Sequence, residues 1–202
     1  MNRKILGLLI ALCLIVPVSL SAEALDLSIG GTAQYQFSAD DTVSGSEEDF
    51  FDIENYKFGA EARVKLLLVE ASDIALVGTT DDGGVQISNL MTAGVSFDLL
   101  NLVRVGVGLG PKFEVNFNDD GTVTDAWGDE FVFTDIFMKS NCTYKANVDF
   151  LLGGLTLSAN YTVDSQGFNI NNIVNDEFTM EDLAPADWGQ GQFGIAVLIS
   201  LI

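Results

Sequence analysis

Residues 102–117 read LVRVGVGLGPKFEVNF. From Val103 onward every second residue is apolar (Val103, Val105, Val107, Leu109, Pro111, Phe113, Val115, Phe117), and Arg104, Gly106, Gly108, Gly110, Lys112, Glu114 and Asn116 stand between them. Period-two alternation of this length predicts a β-strand with one oily and one polar face. In a soluble sheet the oily face packs on a core and the polar face meets water. In a membrane barrel the oily face meets lipid and the polar face lines the lumen.

The same pattern recurs along most of the chain. It runs through 25–37, 56–69, a short segment near 74–79, 85–99, 102–117, 132–152, 155–163 and the terminal GQFGIAVLISLI, which predicts eight strands. The connections at 39–55, 118–131 and 165–191 are long and polar. Those near Ala71-Ser72-Asp73, Leu100-Asn101 and Gly153-Gly154 are tight turns, and Asp81-Asp82-Gly83-Gly84 is a short outer loop. Long loops on one rim and short turns on the other suit a spanning barrel. Aromatics of the oily phase sort by height: Tyr35, Phe37, Tyr56, Phe58, Phe113, Phe117, Tyr161 and Phe193 lie at the loop end, Phe97 and Phe150 at the turn end. Such sorting predicts two interfacial girdles.

The amino terminus, MNRKILGLLIALCLIVPVSLSAEA, has the form of a secretory signal peptide over residues 1–24. Arg3 and Lys4 precede an apolar run, and small residues lead to cleavage after Ala24. The remaining 25–202 suit one domain. With Cys13 removed, Cys142 stands alone and no disulfide framework is expected.

Charge placement is the sharpest feature. The chain holds 29 acidic residues against 9 Lys and Arg, with no histidine. Beyond the signal segment, Lys57, Arg63, Lys65, Arg104, Lys112, Lys139 and Lys145 all fall on the polar phase of a predicted strand. Asp26, Glu61, Asp98, Glu114, Asp135, Asp149 and Asp164 share that phase. An eight-stranded lumen is just wide enough for side chains to fill it, and charges buried there must pair. The expected lumen network is Lys57, Glu61, Arg63, Lys65, Asp98, Arg104, Lys112, Glu114, Lys139, Lys145 and Asp149. Gly106, Gly108 and Gly110 would admit long basic side chains from across the barrel, or relieve strand twist and curvature.

Taken together, the leader, the eight alternating strands, the three tight turns and the terminal GQFGIAVLISLI make residues 25–202 resemble the small eight-stranded outer-membrane proteins of the OmpA, OmpX and OmpW type. The resemblance implies an all-β, up-and-down transmembrane barrel in the outer membrane of a diderm bacterium, with long loops extracellular and both mature termini periplasmic. It also implies contact with outer-membrane lipid and with the barrel-insertion machinery, which in that family reads a terminal residue that is typically aromatic. Here Ile202 stands in that place.

The long loops carry acids and no base, so they repel anions and attract basic extracellular partners or divalent cations. Nucleic acid is excluded as a partner on the same ground. The run Asn116–Gly121 faintly resembles a calcium loop, but Trp127 occupies the position of its twelfth-residue glutamate. Phe50, Phe51, Trp127 and Trp188 interrupt the acidic loops, either anchoring them to one another or forming a contact patch. Without histidine, the Ser–His and Asp–His mechanisms of small membrane-barrel enzymes lose their base, so no enzyme activity and no cofactor is expected. Three readings stand: a monomeric structural or surface-interaction barrel with a closed lumen, a narrow pore for cations or small solutes, and a soluble secreted β-sandwich. Mass spectrometry of the exported protein should find the mature chain beginning at Leu25.

Overall fold

In the computed structural model, residues 25–36, 55–80, 83–99 and 101–202 are described. The leader, Phe37, Phe50 and Phe51 lie outside them. Eight strands form the wall: β1 (Leu25–Tyr35), β2 (Tyr56–Leu66), β3 (Val69–Thr79), β4 (Val85–Leu99), β5 (Val103–Phe117), β7 (Asn141–Leu152), β8 (Leu155–Asn169) and β9 (Gln192–Ser200). A three-residue strand, β6 (Val123–Asp125), folds back on the loop end of β5. Every pairing is antiparallel. β1 pairs with both β2 and β9, and β4 pairs with β5, so the sheet closes without an open edge.

The alternation sets the two faces. Along β2, Lys57, Glu61, Arg63 and Lys65 are buried, whereas Phe58, Val64 and Leu66 are exposed. On β9 the exposed Phe193, Ile195, Val197 and Ile199 alternate with Gly194, Ala196 and Leu198 inside. The exterior is thus an apolar belt and the interior is polar, the reverse of a soluble sandwich. Rings meet at the loop end, with Tyr35 and Tyr56 5.2 Å apart and Tyr161 and Phe193 4.9 Å apart, while Phe97 and Phe150 are exposed near the turns.

Three expectations are corrected. The turn before β3 is Leu67-Leu68, not Ala71–Asp73, and β3 is a full 11-residue strand. Leu67 takes a left-handed φ of 57°, a conformation that apolar side chains rarely adopt, so no turn residue marks the site. The segment 132–152 is not one strand. Residues Phe133–Lys139 form a short helix, α1, and the strand begins only at Asn141. Phe133, Ile136 and Phe137 have helical spacing, and the β5–β7 ladder stops at Pro111 opposite Cys142, where proline has no N–H to give. Finally, β8 runs on to Asn169 before a second short helix, α2 (Ile170–Val174).

The inward glycines serve close approach of backbone rather than the passage of long bases. A Cβ on Gly59 would sit 1.8 Å from the Ala75 carbonyl oxygen, and at Gly106 the space is already held by the Asn147 side chain. Gly59→Ala should therefore sharply reduce the fraction of protein that shows heat-modifiable gel mobility. Gly154→Ala, where a Cβ meets nothing within 4 Å, should leave that fraction unchanged.

Candidate functional site

Alternation brings the inward charges into tiers along the lumen. Near the turns, Arg104 spans two strands, its Nη2 2.8 Å from Asp26 Oδ2 and its Nε 2.6 Å from Asp98 Oδ1. Lys65 Nζ takes the other Asp98 oxygen at 2.5 Å. One tier up, Arg63 crosses the barrel. Its Nε lies 2.6 Å from Glu61 Oε1, its Nη1 2.7 Å from Asp149 Oδ2, and its Nη2 donates to Ser158 Oγ. Lys145 Nζ meets the same Glu61 oxygen at 2.5 Å and also donates to Ser72. Arg63 is 2% exposed, and Glu61 and Asp149 are 0% exposed. These charges have left water entirely, so only mutual pairing offsets their desolvation.

Above the ion pairs the interior changes character. Ile74, Leu76 and Leu90 form a buried apolar cluster inside the barrel. With Thr32, Gln34, Lys112 and Thr162 they surround a void of about 10 Å³, room for at most about one water. Gln34 Nε2 donates to Thr162 Oγ1 at 2.8 Å across this level. At the loop end Glu114 Oε1 receives Lys112 at 3.0 Å and Lys57 at 3.9 Å, and Lys57 also donates to Gln86.

The described lumen thus brings together Lys57, Glu61, Arg63, Lys65, Asp98, Arg104, Lys112, Glu114, Lys145 and Asp149. Lys139 does not join them. It sits on α1 outside the wall, 3.7 Å from Asp129, and Asp135 lies on the same helix. Their apparent strand phase came from reading α1 as an extension of β7. Glu70, missed because its strand was started too late, points inward instead and is buried. The full β3 also reverses the usual sorting. Apolar Ile74 and Leu76 face in, while Asp73 faces out and accepts from Asn89 Nδ2 at 2.6 Å.

The loop crown is held by short polar bonds. Asp120 Oδ1 receives the Thr122 hydroxyl and N–H at 2.6 and 2.9 Å, and the hydroxyl first, then the N–H, holds this carboxyl below its ordinary range. Asp125 Oδ1 takes the N–H groups of Trp127 and Asp129, each at 2.9 Å. Tyr144 Oη donates to the Leu183 carbonyl at 2.5 Å and Tyr161 Oη to that of Trp188, tying the last loop to the wall. Trp127 and Trp188 are both exposed.

No protein-family model matches the chain, and neither does any curated protein. Among solved structures it is similar to Ail, the attachment invasion locus protein of Yersinia pestis, at 12% identity over 87% of this chain and 95% of that one, with a TM-score of 0.47. For the same protein in complex with the heparin analogue sucrose octasulfate the identity is 14% over the same shares, with a TM-score of 0.44. Neisserial surface protein A matches at 11% over 88% of this chain and 97% of that one, with a TM-score of 0.43. The closed ladder and the apolar exterior of this chain stand on its own register. Its fold is a small closed eight-stranded antiparallel barrel with an apolar exterior.

Arg63→Ala leaves Asp149 without an ionic partner and Glu61 with Lys145 alone, both buried, and should cost about 3–5 kcal/mol. Lys139→Ala, in an exposed pair, should cost less than about 1 kcal/mol. Urea unfolding in detergent micelles measures both.

Proposed function

We propose that this chain is an integral protein of the bacterial outer membrane whose lumen is closed and whose work is done by its extracellular loops, as a structural or surface-interaction protein. Under this reading residues 1–24 are removed on export, the tight turns at Leu67-Leu68, Asn101-Leu102 and Gly153-Gly154 face the periplasm, and the loop crown faces outward. The filling of the lumen carries the proposal. Buried pairs through Arg63 and Arg104, then the plug of Ile74, Leu76 and Leu90, leave a void of about 10 Å³ in the path a solute would take.

The loops then set the partner's chemistry. Acids such as Asp119, Asp120, Asp129, Glu130, Asp176, Glu177 and Glu181 surround exposed Trp127, Met180 and Trp188. A basic, partly apolar surface complements that crown, and polyanions are repelled by it. The chemistry differs in sign from that of the sulfated ligand in the Ail complex.

Purified protein in a planar bilayer should give no discrete conductance steps, and protease added to intact cells should cut within the loops and spare the strands. Stepwise currents would transfer the role to the pore. Recovery of the protein in the soluble fraction without detergent would overturn the membrane location on which both rest.

A further inference from the structure

The outward phase of the eight wall strands carries a single acid or base among the described residues, Asp73. It stands five positions above Leu68 and four below Val77, the β3 residue opposite the girdle's Phe58, so on the membrane reading above it faces hydrocarbon. Its Oδ1 accepts from Asn89 Nδ2, which also contacts the Ile74 carbonyl at 3.5 Å. Asp73 Oδ2 and Asn89 Oδ1 make no hydrogen bond among the described residues. An ionisable side chain at such a depth is costly and marks a site whose partner has to be named.

Beside it the wall is hollow. β7 leaves β5 at Pro111, and the segment leading into α1 lies outside the barrel against β4 and β5. Between them runs a groove of about 430 Å³, with Asn89 and Met91 at its foot and Phe113, Phe131, Phe133 and Phe137 along its sides. Phe113 and Phe137 stack with centroids 5.7 Å apart. The volume is that of a compact small-molecule site, and the lining is apolar apart from the Asn89 carboxamide.

We propose that Asp73, Asn89 and this groove form a binding site, entered from the lipid, for lipophilic amines. An ammonium has three N–H donors and a charge opposite to that of the carboxylate, so it can satisfy Asp73 Oδ2 and Asn89 Oδ1 together while its apolar part lies among the phenylalanines. A lipophilic carboxylate brings a like charge to Asp73. A lipophilic alcohol brings one donor and no charge. No base among the described residues can substitute, since the wall-strand bases Lys57, Arg63, Lys65, Arg104, Lys112 and Lys145 all point into the lumen and Lys139 pairs with Asp129. Lipid chains alone would fill the groove and leave Asp73 Oδ2 without a donor.

Matched probes separate these cases: 4-phenylbutylamine, 4-phenylbutanol and 4-phenylbutanoate, titrated into the mature barrel in detergent micelles with carbon-13 methyl-labelled methionine. Met91 lies in the groove and reports occupancy, while Met180, on the last loop, serves as reference. The amine should move the Met91 resonance with an apparent affinity at least about tenfold above those of the alcohol and the carboxylate. Asp73→Asn, which keeps the shape and removes the charge, should bring the amine down to the alcohol's level, and Asp135→Asn, on neighbouring α1, should not. Equal affinities for the three probes, or an unchanged amine preference in Asp73→Asn, would overturn the site. Met91 shifts that follow protein concentration without any probe, and vanish in Asp73→Asn, would assign the face to a second copy and overturn it equally. Failure of the membrane reading is distinguished beforehand, because a protein that stays dispersed without detergent and lacks heat-modifiable mobility has no lipid-facing site to test.

Discussion

Arg63 is the point at which the lower barrel is tied together. Its guanidinium reaches Glu61 on its own strand and Asp149 and Ser158 on the opposite side of the lumen, while Glu61 in turn receives Lys145. A planar fork of fixed donors suits such a span better than a flexible ammonium. The arrangement is less a source of net stability than a condition of the fold, because each member is buried and depends on the others for its charge to be tolerated. Alternation places these side chains inside the wall, and closure of β4 on β5 denies them any route back to water.

The phase of the long strands was legible because it repeats without interruption. Arg104 and Glu114 sit on the inner face of β5, and Arg63 on that of β2, as strict alternation from any oily neighbour requires. Which acid each base meets was not legible. Arg63 and Asp149 are 86 positions apart in sequence and meet only through the stagger of a closed sheet, which no local pattern encodes. Local misreadings have similarly local causes. Leu67-Leu68 turns without glycine, asparagine or aspartate, so the polar Ser72-Asp73 pair drew the turn to itself. α1 was hidden because Ile136 and Met138 alternate with Asp135 and Lys139 as in a strand, while Phe133, Ile136 and Phe137 complete a helical face. Asp73 breaks the phase that every other described charge on the wall strands keeps. It lies outside, and Ile74 and Leu76 beside it lie inside, where with Leu90 of β4 they form the apolar part of the lumen.

That reversal connects the interior to the exterior. Ile74, Leu76 and Leu90 close the passage above the ion pairs, and the same strand sends Asp73 toward Asn89 on the outside. The wall is one residue thick, so the choice of what plugs the lumen on β3 is also the choice of what β3 shows to its surroundings. Higher up, departure of β7 at Pro111 opens the ladder and lets the β6–α1 segment lie over β5, so the crown is continuous with the flank of the barrel rather than perched on its rim.

Ser28 to Gln34 of β1 find their second hydrogen-bond partner in Ser200 to Gly194, at the far end of the chain. Because the seam joins β1 to β9, no segment that lacks either strand can complete the cylinder. Every nascent intermediate carries two raw edges, each an invitation to aggregate. Closure is therefore all or nothing, committed only when β9 lies beside β1.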